Sequence, residues 1–287
     1  MRWLVAGANG MLGKDLVVLL RDAGHDVTAI DKDEADITDA RAAAEAPAGH
    51  DVVVNCAAWT AVDDAETHEG PAFMVNAVGA ANLARGARLT GARMVQISTD
   101  YVFAGDASTP YPADGAPSPR SAYGRTKAAG EWGVRAEAPD HLVVRTAWLY
   151  GAEGPCFPRT MARLAADRDR VTVVDDQVGQ PTWTWDVADL VHRLVTGAVP
   201  SGTYHATSQG QASWFEFARA AVAAAGIDEQ VIQPTTSADF VRPAPRPSYS
   251  VLSHDSLLAA GIEPIGDWRE RWSLAAPGVL AGPTVRA

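Results

Sequence analysis

Cysteine, lysine and long apolar runs are what this 287-residue sequence has least of. Its two cysteines, Cys56 and Cys156, lie far apart with no His or Cys neighbour at ligand spacing. That excludes a disulfide scaffold and a zinc site as organising devices. Lysine occurs three times, at Lys14, Lys32 and Lys127, and the formal net charge is -11. No basic stripe is present, so a nucleic-acid phosphate backbone is excluded as partner. A locally cationic pocket inside an acidic protein still suits an anionic substrate. No uncharged apolar run reaches the roughly 18–20 residues of a membrane helix. A strand and a glycine turn fill the first few residues, leaving no room for a signal-peptide apolar core, so a cytoplasmic location is expected. What is there is ordinary for a packed protein: 47% hydrophobic and 21% charged residues, enough for a core without staples.

The first half alternates short apolar runs with helix-period stretches. Trp3–Ala6, Val27–Ile30, Val52–Asn55, Met94–Ser98 and Leu142–Thr146 are expected as buried strands. Met11–Ala23, Ala72–Thr90 and Ala122–Glu137 are expected as helices between them. Such alternation predicts an α/β fold, a Rossmann-type doubly wound parallel sheet. After about residue 147 the prolines multiply and elements shorten. Val171–Val174 and Thr203–Ala206 read as strands, Trp185–Thr196 and Trp214–Ala225 as helices. The division expected is a dinucleotide-binding domain over 1–147, with interleaved elements near 171–200, and a smaller C-terminal α/β substrate lobe over 148–287.

The first strand runs into Gly7-Ala8-Asn9-Gly10-Met11-Leu12-Gly13, a GxxGxxG turn. Gly7 suits positive φ, Gly10 lets backbone approach a pyrophosphate, and Gly13 lets the following helix sit against the strand. The amides opening that helix would face the phosphates. Asp31 ends the second strand, where an acid bonds the adenosine ribose and favours NADH. Lys32 beside it would instead receive a 2′-phosphate, so NADPH and NADH both stay open. Asp36-Ile37 is placed for the adenine, and Ala57-Ala58-Trp59-Thr60 for the middle of the cofactor.

Three features converge on carbonyl chemistry. Thr99 and Asp100 follow the fourth strand, Asn76 lies on one helix, and Tyr123 and Lys127 share a face of the next at i and i+4. A ketone reduction needs a hydride and a proton for the nascent alkoxide. Tyrosine is protonated at neutral pH, so Tyr123 can give that proton. A neighbouring Lys127 ammonium is expected to stabilise the tyrosinate and to bond the nicotinamide ribose. Thr99-Asp100 after a strand also reads as a cap.

With these residues in view the chain resembles the extended short-chain dehydrogenase/reductases, and within them the dTDP-4-dehydrorhamnose reductase family. The resemblance rests on GANGMLG at 7–13, VVNCAAWTAVDDAE at 53–66, VNA at 75–77, STDYVF at 98–103, YGRTK at 123–127, RTAWLYG at 145–151, DQVGQPT at 176–182 and RP at 246–247. It implies NAD(P)H-dependent reduction of the C4 ketone of dTDP-4-dehydro-L-rhamnose. It further implies Tyr123 as proton donor, Lys127 as cofactor-binding partner of Tyr123, and Thr99 as a tuning hydroxyl. Thr99, Asp100, Val102 and Trp148 would contact the sugar, and Arg246 the diphosphate. Related 4,6-dehydratases carry Asp-Glu after the threonine; here Tyr101 follows Asp100, which removes the base for elimination. The family commonly has Asn before the Phe at 157, whereas Pro155-Cys156 precede it here. A homodimer and a Mg2+ ion are weaker implications, with Asp15 matching one ligand position. Two other readings stand beside this one: a reductase of another dTDP-4-keto-6-deoxyhexose, such as a streptose-type sugar, and a non-catalytic subunit that kept the fold.

Overall fold

The expected apolar runs form strands of a single parallel sheet in the structure, a computed structural model that describes residues 1–282. They are β1 (Arg2–Ala6), β2 (Asp26–Ile30), β3 (Val52–Asn55), β4 (Arg93–Thr99) and β5 (His141–Thr146). A sixth strand, β6 (Gly202–His205), joins beside β5, giving the spatial order β6-β5-β4-β3-β1-β2. Ala6 pairs with Ile30 on one side and with Asn55 on the other. The order therefore reverses between β1 and β3, and a crevice opens beyond their carboxyl ends.

Alternate side chains of each strand enter opposite faces. Trp3 and Val5 pack with Leu16 and Leu20 of helix α1 (Met11–Asp22) and with Val187 and Val191 of a helix over Thr184–Thr196. Leu4, Ala6, Val53 and Met94 pack under Leu83 and Ala87 of α2 (Ala80–Thr90) and Val134 of α3 (Ala122–Glu137). Both faces are covered, which is why the strands read as unbroken apolar runs.

The second expected helix differs from its sequence reading. It starts at Glu69, three residues early, and Met74–Gly79 form a π turn before α2. Within that turn the Asn76 carbonyl faces Gly130 of α3, where a Cβ would lie only 2.1 Å from it. Glycine at 130 is what lets the two helices close on each other there.

Beyond Ala147 the chain builds a second set of layers. Val171–Val174 pairs parallel with Ile232–Thr235, away from the central sheet. Helices Phe157–Asp167, Trp214–Ala224 and Trp268–Ala281 cover two further apolar clusters, one around Phe217, Trp268 and Trp272 and one around Met161, Val173 and Ile232. A capping box between Ser213 and Glu216 starts the middle helix. The proline-rich stretch at 243–247 then returns toward β4, and the Tyr249 amide donates to the Gly105 carbonyl at 3.0 Å. No helix among the described residues is long and apolar enough to cross a membrane.

Candidate active site

The glycine turn has the roles its spacing predicts. Gly7 has φ +74°, and a Cβ there would meet the Ala57 amide nitrogen at 2.4 Å. A Cβ on Gly13 would lie 2.2 Å from the Gly7 carbonyl oxygen. Gly10 is different: its nearest such neighbour is the Gly7 oxygen at 3.3 Å, so the chain's own packing does not demand glycine there. No side chain caps α1 and its first turn holds no acid. The first amides of a twelve-residue helix thus face the crevice mouth with no acceptor from a capping side chain, a donor set that fits a pyrophosphate. Leu12 turns its side chain into the core, leaving its amide for that role, and Met11 packs against the second lobe.

Asp31 is engaged within the chain: it accepts from the Asn9 amide at 3.1 Å and the Lys32 amide at 2.8 Å. It thereby ties the glycine turn to the end of β2, while the Lys32 side chain stays exposed. Asp36 accepts from the amide and hydroxyl of Thr38 at 2.9 and 2.7 Å, which hold its carboxyl below the usual range. Ile37 packs against Gly79, and Asn82 donates to its carbonyl at 3.1 Å. Ala57, Ala58 and Trp59 are half-buried and Thr60 exposed. Asn76 clamps this segment, accepting from the Trp59 amide at 2.8 Å and donating to its carbonyl at 3.2 Å. The same amide group donates to Thr126 on α3 at 3.0 Å. Asn76 thus joins the expected cofactor loop to the helix carrying Tyr123 and Lys127.

Successive residues at the end of β4 meet α3. The Lys127 ammonium donates to the Ile97 carbonyl at 2.7 Å, and the Ser98 hydroxyl to Glu131 at 2.6 Å. The next residue, Thr99, donates to Asp100 at 2.9 Å and accepts from the Tyr101 amide at 3.2 Å. A Cβ at Gly124 would lie 2.2 Å from the Tyr101 carbonyl, so glycine beside Tyr123 admits the turn after β4. Tyr101 and Tyr123 meet edge to face at 5.6 Å.

Burial dominates the electrostatics. It pushes the Tyr123 phenol above its ordinary value, with the Thr99 hydroxyl opposing. The expected lowering by Lys127 does not act on the phenol in this structure, where the ammonium is turned toward Ile97. Tyr123 holds its proton firmly at neutral pH, as a donor must. Burial lowers Lys127 to about 8, opposed by Glu131 and Cys56. Burial likewise raises Asp100 to about 6, against the hydroxyls of Ser250 and Thr99. Asp100 Oδ2 is buried with no hydrogen-bond partner among the described residues.

Trp148 sits at φ +46°, a strained conformation for a bulky residue. Its indole stacks on Trp214 at 3.6 Å, and a Cβ on Gly179 would come within 2.5 Å of it. Val102 does not join the site. It is fully buried and packs with Phe103, Ala128 and Leu252, as an apolar residue one turn past the strand end must. Arg246 lines an 80 Å³ pocket with Tyr101, Arg120, Ser121 and Ser248, and pairs with Asp63 at 2.9 Å. Asp15 accepts from Thr184 at 2.5 Å, and its partial burial raises its pKa.

Sequence reasoning missed several of these residues. Glu131 and Arg145 form a fully buried bidentate pair with two contacts of 2.8 Å. Charged residues read as solvent-facing unless their partner is known, and only the i+4 step from Lys127 to Glu131 hinted otherwise. Gly179 and Asp63 lie in the DQVGQPT and VVNCAAWTAVDDAE segments without having been singled out, and Trp214 lies in none of the quoted segments.

A family model described as the RmlD substrate binding domain matches residues 1–276. A dTDP-4-dehydrorhamnose reductase of Streptomyces griseus is 50% identical over 275 residues, covering 93% of this chain and 90% of that protein. A probable dTDP-4,6-dihydroxy-2-methyloxan-3-one 4-ketoreductase of Streptomyces antibioticus is 48% identical over 286 residues, covering 98% and 96%. Among solved structures, dTDP-4-dehydrorhamnose reductase of Bacillus anthracis in complex with NADP has a TM-score of 0.91 at 37% identity, covering 96% of this chain and 98% of that one. The chain belongs to the dTDP-4-dehydrorhamnose reductase family.

Proposed function

We propose that this chain reduces the C4 ketone of dTDP-4-dehydro-L-rhamnose to dTDP-L-rhamnose, using NAD(P)H. One observation carries the reading: a phenol that keeps its proton, Tyr123, stands with Thr99 and Lys127 where β4 meets α3, and the helix after the glycine turn has no capping side chain and no acid in its first turn. The relatives named above support the substrate class.

Bound at the glycine turn, NAD(P)H supplies the hydride to C4. Tyr123 passes its phenolic proton to the carbonyl oxygen as the alkoxide forms, so that ketone, hydride and proton give the secondary alcohol. The Lys127 ammonium offsets the negative charge left on the phenol. Thr99 favours the ionised phenol when its hydroxyl turns its single proton from Asp100 to the phenol oxygen. Asp100 Oδ2, buried and without a partner among the described residues, accepts from a sugar hydroxyl. Trp148, held by Trp214, packs on the sugar, and Arg246 meets the diphosphate. Asp100 is followed by Tyr101 instead of a carboxylate, so elimination has no base and reduction proceeds alone.

A second reading, reduction of another dTDP-4-keto-6-deoxyhexose, is favoured by the ketoreductase at 48% identity and by Pro155-Cys156 before Phe157. A coupled assay with dTDP-glucose, its 4,6-dehydratase and 3,5-epimerase, and NADPH or NADH separates them. Loss of nicotinamide absorbance only when the epimerase is present supports rhamnose formation. Equal loss without it moves the substrate to the unepimerised ketosugar, and no loss with either cofactor removes the reading.

A further inference from the structure

Asp63 lies three residues past Thr60, in the short helix Val62–Ala65 that continues the expected cofactor loop. Its carboxylate gathers donors from one distant segment. Oδ2 accepts from Arg242 Nε at 3.0 Å and Nη2 at 2.5 Å. Oδ1 accepts from the Ala244 amide at 3.2 Å and Arg246 Nη2 at 2.9 Å. That segment contains Pro243, Pro245 and Pro247, which cannot donate backbone bonds to hold it in place. Its far end is fixed separately, by Ser248 donating to the Gly105 carbonyl at 3.1 Å and by Pro247 filling the space a Gly105 Cβ would need.

An isolated surface ion pair contributes little. Asp63 differs because its side chain is only 24% exposed and a backbone amide joins two guanidinium groups on one carboxylate. The arrangement also fixes the aim of Arg246. Nη1 donates to the Ala244 carbonyl at 3.2 Å and Nη2 pairs with Asp63, so two of five N–H donors are held on one side. The rest of the side chain lines the pocket beside Tyr101, Arg120 and Ser121. Tyr101 is the residue whose ring abuts Tyr123.

We propose that Asp63 is a positioning residue: it anchors the Arg242–Arg246 segment and orients Arg246 toward the diphosphate of the sugar nucleotide. The inference rests on the substrate reading above, and dTDP alone serves as the probe. In Asp63→Asn, the Kd for dTDP by calorimetry and the KM for the ketosugar rise at least about tenfold, equivalent to about 1.4 kcal/mol. The kcat stays within about twofold and the Kd for NADPH is unchanged. Arg246→Gln gives a similar loss, and the double variant is no worse than Arg246→Gln alone, because the two residues act as one. Unchanged dTDP affinity in Asp63→Asn, additive losses in the double variant, or an equal loss of NADPH affinity would each overturn the proposal. Absence of dTDP binding by the unaltered chain would remove the substrate reading together with it, whereas binding that Asp63→Asn leaves intact removes the positioning role only.

Discussion

The Lys127 ammonium donates to the Ile97 carbonyl oxygen at 2.7 Å, one residue before Ser98 reaches Glu131. Strand and helix are thus joined by the charge that the proposed chemistry needs. Burial brings Lys127 to about 8, from an ordinary 10.5. Between those values the unfolded chain binds the proton and the folded one does not, so stability rises with pH across that window. Activity runs the other way, because the ammonium is the working form. The kcat/KM profile should fall through about pH 8 as Lys127 loses its proton.

Glu131 opposes the lowering of Lys127 and pairs with Arg145 in the core. Glu131→Gln should move the alkaline limb of kcat/KM below its original position. It should also destabilise the fold by about 3–5 kcal/mol, since Arg145 is left buried without its counter-charge. Denaturant unfolding and a pH–rate series on the same variant check both. An unmoved limb would detach Glu131 from the site and leave it a structural pair.

Asp100 illustrates stability given up for binding. Its folded pKa is raised to about 6 from 3.8, so the folded state is the stronger proton binder between them. The stability of the folded chain therefore falls as pH rises from about 4 through 6, and the cost is complete above that. Asp100→Asn keeps an acceptor for Thr99 and removes the buried charge. It should stabilise the fold at pH 8 by on the order of 2 kcal/mol. The gain should shrink as pH falls toward 4.5, while the KM for the ketosugar rises. Thermal melts at the two pH values decide; an equal gain at both would contradict the assigned protonation.

The glycines separate fold from cofactor. Gly13→Ala forces a Cβ to 2.2 Å from the Gly7 oxygen and 2.8 Å from Ala8 Cα, and should cost about 1–3 kcal/mol or more. Gly10 has φ -71°, which alanine adopts freely, and meets only one atom at 3.3 Å. Gly10→Ala should change stability by less than about 1 kcal/mol, yet raise the Kd for NADPH by roughly tenfold or more. Comparable melting loss in both variants would refute that division.

The sheet was legible because strands buried on both faces read as unbroken apolar runs bounded by turns. Gly7 and Gly13 were legible because their backbone demands are local. In STDYVF both Val102 and Phe103 turn inward and pack together, and sequence does not say which way a side chain faces. β6 was legible as a strand over Thr203–Ala206, but its place beside β5 was not, because a crossover of more than fifty residues separates the two strands. Asp63 and Arg242, 179 residues apart, meet only through the folded path of the chain, as do Glu131 and Arg145. The tertiary fold makes those pairs, and no local pattern announces them.

The central claim is that Tyr123 delivers the proton. Tyr123→Phe retains the ring that meets Tyr101 and removes only the hydroxyl. Single-turnover oxidation of NADPH with dTDP-4-dehydro-L-rhamnose should slow by about 10²–10⁴-fold, with the Kd for NADPH unchanged. A rate within about twofold of the unaltered chain would contradict the account.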